Sequence, residues 1–314
     1  MFNPDAPAES TDAVLARQST LNQSTRGQWN LYRSHREELE KLLVPSRSGG
    51  RICVLGAGNC NDLDLRWLLQ VYRLVQLVDL DGPALERAAR FQKVAEAPAL
   101  RLRGSIDLTG IAARLGAWEK ARPASPADAD VQACLQAASA PADTLAAALD
   151  GPFDLVLSPC VLSQLLTPIR DVLGANHPAH DPLLAAVRRR HFQLMLDLLA
   201  PGGRAVFACD LFSSATVKDL ARAPREELPG LLRKRVAAGR HFSGLDPASI
   251  QAVLTRDRLI APQVATVRHA APWLWHLALS KTYLVYALTF NKTSAPASRP
   301  ASSPDAAPRD IGGE

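Results

Sequence analysis

The residues best able to do chemistry stand in two short runs, residues 51–61 and residues 78–81. In the first run, an apolar stretch leads directly into a turn that contains Gly56 and Gly58. In the second, an apolar stretch ends in Asp79. This order is typical of an α/β nucleotide site, because glycines let the backbone approach a ligand and the carboxylate can accept hydrogen bonds from a ribose.

The details of the glycine turn distinguish between nucleotides. A dinucleotide fingerprint has a third glycine where this chain has Asn61, and a phosphate-binding loop has a Lys that is absent here. Two glycines, with no third and no basic residue, suit a ligand that has no pyrophosphate. The turn therefore favours S-adenosylmethionine over a dinucleotide or a nucleoside triphosphate.

Several stretches, in order and spacing, resemble class I S-adenosylmethionine-dependent methyltransferases. They correspond to the glycine motif, the ribose-binding acid, the adenine-side acid, the strand that opens onto the transferred methyl, and the turn before strand five. The matched stretches are residues 54–60, 78–79, 103–108, 153–160 and 198–207. Two positions depart from the family pattern: Val54, where an acid is common, and Cys60, which replaces the third glycine.

The resemblance implies a doubly wound α/β fold with a mostly parallel seven-stranded sheet, an antiparallel last strand and an N-terminal helical extension. It also implies the site. Ser158 and Gln164 are the candidate catalytic groups near the methyl, and His35 is a further candidate base. No metal is expected. The implied ligands of S-adenosylmethionine are Gly56, Ala57, Gly58, Asn59, Asp79, Leu80, Ile106, Asp107 and Ser158.

Some of these residues have a second interpretation. Asp79 could cap the following helix, although Asp81 is better placed to do so. Asp107 could contact the adenine amino group or lie on the surface. Cys160 could be a nucleophile, but no neighbouring cation is evident in the sequence to lower the pKa of its thiol, which favours a small buried residue.

The acceptor is less well defined by the sequence than the cofactor. Amino methyltransferases of this fold often carry Asn-Pro-Pro-aromatic where this chain has residues 158–160, Ser-Pro-Cys. The missing Asn and aromatic residue argue against methylation of a nucleic-acid base.

His177 and His180 could form a metal pair, but two loop histidines separated by a proline are more typical of a surface.

The composition is that of a globular chain. The 314 residues are 47% hydrophobic, and no apolar run reaches the length of about 18 residues that a membrane span needs. The first residues lack the basic start and apolar core of a signal peptide. Five cysteines with no Cys-x-x-Cys pair argue against structural zinc and a disulfide framework, so we expect a cytoplasmic protein. The net charge of +5 permits contact with nucleic acid but does not indicate it.

Apolar periodicity divides the chain into four parts. We expect a disordered N-terminus over residues 1–19, a helical cap over 20–48, a cofactor-binding domain over 49–291 and a disordered tail over 292–314. A long connection at residues 167–182 follows the fourth strand. The predicted strands cover residues 51–55, 74–80, 99–102, 153–158, 204–209, 264–269 and 283–290.

Together these features predict an S-adenosylmethionine-dependent methyltransferase that acts on an oxygen or nitrogen of a small molecule. An RNA or protein acceptor is the alternative within the class. Val54 and Cys60 leave open a non-catalytic Rossmann-like binding protein. A nicotinamide-dependent oxidoreductase is a third hypothesis, against which Asn61 argues.

Overall fold

The computed structural model describes residues 8–45, 49–120, 128–242, 244–278 and 281–294. The strands are β1 (Gly50–Leu55), β2 (Tyr72–Val78), β3 (Leu100–Arg103), β4 (Phe153–Pro159), β5 (Leu199–Ser213), β6 (Val264–His269), β7 (Trp273–Ala278) and β8 (Lys281–Lys292). The helices are α1 (Ala8–Ser24), α2 (Arg33–Leu43), α3 (Leu65–Val71), α4 (Gly82–Phe91), α5 (Ala112–Lys120), α6 (Asp128–Ser139), α7 (Asp143–Ala148), α8 (Val161–Leu173), α9 (His180–Leu198), α10 (Leu228–Ala237) and α11 (Pro247–Arg256).

The strands form one sheet in the order β3-β2-β1-β4-β5-β8-β6, with β7 also paired to β8. Strands β1 to β5 are parallel, and β8 runs antiparallel to β5. The prediction of a doubly wound, mostly parallel sheet with an antiparallel last strand is confirmed. The strand order reverses between β1 and β4, and in open α/β sheets ligands bind beside such a switch point, at the carboxyl ends of the strands.

At one edge the sheet has two short strands, whereas a sheet of seven strands was predicted. Strand β7 pairs with one half of β8 and β6 with the other half, so two short strands share one edge. Pro272 lies between them and has no N–H to donate to β8, which explains why the edge is interrupted there. The sheet is therefore seven positions wide and contains eight strands.

The central strands are buried on both faces, as their nearly continuous apolar runs predict. Along β1, Ile52 and Val54 pack in one apolar cluster, while Cys53 and Leu55 pack in the other. The same alternation continues in β4, where Leu157 belongs to the first cluster and Val156 to the second. Because side chains of the core cover both faces of the central sheet, a ligand can contact these strands only at their ends.

Two expectations about local structure were wrong. Residues 8–19, expected to be disordered, belong to helix α1, and residues 167–173, expected to be part of the long connection 167–182, belong to helix α8. Within residues 20–48, the end of α1 and the whole of α2, which starts at Arg33 after a series of turns, are helical. Helix α1 is held by contacts distant in sequence, such as those of Arg17 with Glu119 on α5 and Asp171 on α8. Residues 1–7 and 295–314, also expected to be disordered, lie outside the described residues.

Candidate functional site

A cavity of about 570 Å³ lies at the carboxyl ends of the parallel strands, beneath helix α1. Its volume is within the range of roughly 300–1,000 Å³ that is usual for small-molecule sites. The glycine turn, the end of β2 and the loop after β3 line one part. The end of β4, the start of α8, β5 and the β7–β8 hairpin line the other part.

The glycine turn is sharp and closely packed. The backbone N–H groups of Gly56 and Ala57 both donate to the carbonyl of Val78, at 2.8 and 3.1 Å. Gly56 has a φ of +74°, and a Cβ added to it would lie 2.2 Å from Cγ2 of Val161. Only glycine fits this position, because a side chain would be strained and would also collide with α8.

Asp79 faces this turn from the end of β2. Its Oδ2 accepts a hydrogen bond from the N–H of Gly58, and its Oδ1 accepts one from the N–H of Asp81, each at 2.8 Å. Burial raises the pKa of Asp79 to about 6, against the opposing effect of these hydrogen bonds. An ionised carboxylate has about four lone-pair positions, so Asp79 keeps capacity to accept a hydrogen bond from a ligand hydroxyl.

Asp81 caps helix α4, as the sequence predicts. Its Oδ1 accepts a hydrogen bond of 3.1 Å from the N–H of Ala84, and Pro83 occupies the first turn of the helix. Its Oδ2 accepts a further hydrogen bond of 2.9 Å from Nδ2 of Asn22 on α1. Asp79 is thus not required as a cap, which leaves its carboxylate to the cavity.

Two asparagines of the turn hold α1 in place. Nδ2 of Asn59 donates to the carbonyl of Asn22 and to Oγ1 of Thr25, and Nδ2 of Asn61 donates to the carbonyl of Thr25 at 2.8 Å. Asn59, a predicted cofactor ligand, does line the cavity. Its amide hydrogens are nevertheless directed to α1, so its side chain closes the roof of the cavity.

The predicted adenine side is also part of the cavity, whose lining includes Leu80, Ile106 and Asp107. The Asp107 carboxylate accepts hydrogen bonds from the backbone of Thr109 at 2.8 Å and of Ala112 at 2.9 Å. Asp107 therefore caps the start of α5 and also lines the cavity, so the two interpretations of this residue are compatible.

Ser158 is placed elsewhere. Its side chain is fully buried, and its Oγ lies 2.8 Å from Nε2 of His191 on α9, on the opposite face of the sheet from α2. It is not among the residues that line the cavity. The structure therefore does not bring Ser158 to the cavity in which the other predicted cofactor ligands lie. Gln164 does line the cavity, where its Oε1 accepts a hydrogen bond of 3.2 Å from Gln18.

His35 is likewise removed from the cavity. Its Nδ1 accepts a hydrogen bond of 2.9 Å from Nε1 of Trp273, and its ring stacks on Trp275 with centroids 4.7 Å apart. Burial lowers the pKa of His35 to about 3. These contacts give His35 a packing role and do not support it as a base.

Cys160 is a small buried residue, which is the interpretation that the sequence favours over a nucleophile. The residue is 2% exposed, and burial raises the pKa of its thiol well above the usual range, which is the reverse of what a nucleophile needs. Cys60, in the place of the family's third glycine, adopts a φ of +49°. It thus keeps the left-handed backbone that a glycine would supply.

Asp210 and Asp62 are the acidic cavity residues that the sequence analysis did not assign to the site, and Asp210 is the more informative of the two. It lies on β5, is 6% exposed, and accepts at Oδ1 a hydrogen bond of 2.6 Å from Ser163. Burial raises its pKa to about 7. The signal was present, because Asp210 follows the apolar run 205–209 just as Asp79 follows the apolar run of β2.

No described group of three or more His, Cys, Asp or Glu side chains is arranged to hold a metal ion. The two histidines considered as a pair are used locally: Nδ1 of His177 accepts from the N–H of Ala179, and Nδ1 of His180 lies 2.8 Å from Asp181. Among the described helices, none has the length and apolar character needed to cross a membrane.

The sequence matches no protein-family model and no curated protein. Solved structures of methyltransferases resemble parts of the fold. An O-methyltransferase family protein from Burkholderia thailandensis is 13% identical, with 92% of this chain and 64% of that chain covered and a TM-score of 0.47. A putative S-adenosylmethionine-dependent methyltransferase from Methanococcus maripaludis is 10% identical, with 89% and 95% covered and a TM-score of 0.43.

The YcgJ protein of Bacillus subtilis is 12% identical, with 84% of this chain and 100% of that chain covered and a TM-score of 0.43. Likenesses at this level describe the fold at most. The function therefore has to be inferred from the residues that surround the cavity.

Proposed function

We propose that this protein is an S-adenosylmethionine-dependent methyltransferase that acts on an oxygen or nitrogen atom of a small molecule. The observation that carries the proposal is the hydrogen bond between the Asp79 carboxylate and the N–H of Gly58 in the wall of one cavity. It joins the carboxylate after the second strand to the glycine turn after the first, which is the arrangement that a ribose and its neighbouring groups require.

The residues present fit such a cofactor. A Cβ on Gly58 would lie 3.0 Å from Oδ1 of Asn22 and 3.9 Å from Oδ2 of Asp79, so the lack of a side chain keeps this corner of the cavity open. Asp79 would accept hydrogen bonds from the ribose hydroxyls, and Ile106 would pack on the adenine, with Asp107 near its amino group. When bound, the cofactor supplies a sulfonium-activated methyl group.

A dinucleotide fits less well. The glycine turn, residues 56–62, contributes no basic side chain to the cavity lining, so it offers no positive charge to a pyrophosphate. The Arg17 side chain also reaches the cavity, but it is ion-paired with Glu119 and Asp171. This charge distribution supports a cofactor that has no phosphate.

The position of α1 supports a small acceptor. Gln18, Leu21 and Asn22 of this helix line the cavity opposite the strand ends. An acceptor that reaches the methyl group has to fit in the space beneath the helix. A macromolecular acceptor would require α1 to move away, together with the hydrogen bonds of Asn22.

A non-catalytic binding protein is the second candidate, and Asn22 is the observation that favours it. Its amide lies beside Gly58 and is bonded to Asp81, close to the proposed ribose position. If α1 held this arrangement permanently, cofactor affinity would be weak or absent. The two candidates thus differ in their affinity for the cofactor, which can be measured directly.

Isothermal titration with S-adenosylmethionine, S-adenosylhomocysteine and NADH tests the proposal. We expect binding of the first two ligands, and a loss of about 1–3 kcal/mol in binding free energy in Asp79→Ala, from the missing charged hydrogen bonds. Glu86→Ala removes an exposed carboxylate on α4 and serves as the control. Unchanged affinity in folded Asp79→Ala would refute the ribose assignment. No binding of either sulfur ligand would favour the non-catalytic candidate, and preferential NADH binding would favour the oxidoreductase.

A further inference from the structure

The cavity continues past the proposed cofactor residues toward β5 and β8. The cofactor residues lie at the ends of β1, β2 and β3, whereas a second group lies beside the ends of β4, β5 and β8. We call this second group the acceptor end; it consists of Ser163, Asp210, Phe242, Trp275, Lys281 and Tyr283.

Aromatic rings form one wall of the acceptor end. Trp275 and Tyr283 face each other across β7 and β8, with ring centroids 5.6 Å apart and planes inclined by 33°. Tyr32 lies 5.4 Å from Trp275, and Phe242 lies 6.4 Å from Tyr283. These four rings are in contact in series and make this side of the cavity aromatic, which suits packing against another ring.

A single carboxyl group stands among the residues of the acceptor end. Asp210 is 6% exposed and receives a hydrogen bond from Ser163, which leaves further lone pairs on its carboxylate for a donor in the cavity. Ser163 itself is fixed at the start of α8, and the carboxylate on β5 is held in a rigid sheet. The carboxylate is therefore positioned in advance for a hydrogen-bond donor.

The charges beyond the rings are positive. Lys281 is exposed at the edge of this region, and its Nζ lies 5.3 Å from the centre of the Tyr283 ring. Arg170 on α8 lies 5.7 Å from the centre of the Phe242 ring. These cations disfavour a cationic amine as the ligand and are compatible with negative charge that develops on an oxygen.

We infer that the acceptor end binds a planar aromatic hydroxyl compound, with Asp210 as the base that receives the proton of that hydroxyl. The inference rests on the proposed function for the source of the methyl group. The hydroxyl oxygen uses a lone pair to form the new bond to the methyl carbon. The carbon–sulfur bond of the sulfonium breaks, and its electron pair stays on the sulfur as a neutral thioether. The hydroxyl proton passes to Asp210, so the products are an aromatic methyl ether and a protonated carboxyl group.

The same geometry gives ligand binding a pH dependence. Burial raises the pKa of Asp210 to about 7, and the hydrogen bond from Ser163 lowers it. The carboxylate that accepts a strong hydrogen bond therefore forms as the pH rises through neutrality. The ionisable groups facing Asp210 from the surrounding elements are Cys160, Arg170, Cys209, Lys281, Tyr283 and Tyr286.

Calorimetric titration with 4-methylphenol tests the inference, with its methyl ether, 4-methylanisole, as the matched probe that cannot donate a proton. A phenol of this type has a pKa of about 10, so it is almost fully protonated from pH 5 to 8. We expect the phenol to bind at least tenfold more tightly than the ether at pH 8, with affinity falling as the pH is lowered through 7. In Asp210→Asn the pH dependence should disappear, whereas Glu86→Gln should behave as the parent protein.

Ser163→Ala provides a second variant should Asp210→Asn fail to fold. Without the hydroxyl, the pKa of Asp210 rises further, so the midpoint of phenol binding should move to higher pH, which loss of packing alone would not cause. Equal affinity for phenol and ether, or a pH profile unaffected by both variants, overturns the role of Asp210. A parallel titration with S-adenosylhomocysteine separates the two proposals. If this ligand binds and neither aromatic probe does, the aromatic acceptor is wrong; if the phenol binds as expected and this ligand does not, the methyl donor is wrong.

Discussion

Asn22 on α1 donates a hydrogen bond of 2.9 Å from Nδ2 to Oδ2 of Asp81, the residue that caps α4. The side chain of Asn22 is 7% exposed, and its backbone carbonyl accepts from Asn59 of the glycine turn. One residue thus connects the N-terminal helix both to the end of β2 and to the turn after β1. This connection makes α1 the roof of the cavity, so any ligand that enters has to pass it.

Asn22→Asp should release this helix. The new carboxylate would face Asp81 and lie near Asp79, and repulsion between buried carboxylates adds to the lost hydrogen bond. We expect the free energy of opening of α1 to fall by about 2 kcal/mol, so that its amides exchange hydrogen at least tenfold faster. Hydrogen exchange followed by mass spectrometry over residues 13–24 measures this.

Asn30→Asp, the same change at an exposed position before α2, is the control and should leave exchange in α1 unchanged. If both variants exchange like the parent protein, the side chain of Asn22 does not hold α1 over the cavity. Helix α1 would then be held mainly by the ion pairs of Arg17.

Gly56→Ala should destabilise the protein strongly. The φ of +74° strains any L-residue, and the added Cβ would lie 2.2 Å from Val161. We expect the free energy of unfolding to fall by about 3 kcal/mol or more, from backbone strain together with overpacking. Gly239→Ala isolates the strain, because its φ is +64° and nothing lies within 4 Å of the added carbon, so it should cost about 1 kcal/mol. Equal losses in urea unfolding of the two variants would show that the contact with Val161 is relieved without cost.

The positions of the central strands along the chain, the place of Asp79 after β2 and the role of Asp81 as a helix cap could be predicted because they depend on short-range patterns. An apolar run followed by a glycine turn or by an acid specifies a strand and its end without knowledge of the rest of the chain. The same pattern applies to Asp210, which directly follows the apolar run 205–209 but was not recognised as a site residue. The predicted end of this strand was also too early, because β5 continues to Ser213.

Other features depend on contacts that a local pattern cannot contain. The composition of residues 8–19 resembles disorder, yet α1 is joined to Glu119 and Asp171 by ion pairs over more than a hundred residues of sequence. The direction of Ser158 was also undetermined, because a strand buried on both faces gives no periodicity that separates the face toward the ligand. Only the packed structure shows that Ser158 meets His191.

Ser158→Ala should therefore affect stability and leave cofactor binding unchanged. Loss of the hydroxyl removes the partner 2.8 Å from Nε2 of fully buried His191, and an unsatisfied buried nitrogen costs about 1–3 kcal/mol. Urea unfolding measures the stability, and calorimetric titration with S-adenosylhomocysteine measures the binding. A loss of affinity comparable to that of Asp79→Ala, with stability unchanged, would restore Ser158 to the site.

Asp210 should make the stability of the protein fall as the pH rises from 5 to 8. Burial raises the folded-state pKa of Asp210 from 3.8 to about 7, so between these values the folded protein binds a proton that the unfolded chain does not. The stabilisation is complete below the unfolded-state pKa and is lost as the pH rises through 7. His35 and His191, whose pKa values burial lowers, act in the opposite direction but are common to the parent and to Asp210→Asn. On going from pH 5 to pH 8, the parent should thus lose on the order of 2 kcal/mol more than Asp210→Asn in urea unfolding. Parallel pH profiles for the two proteins would mean that Asp210 titrates near its ordinary pKa and is ionised throughout this range.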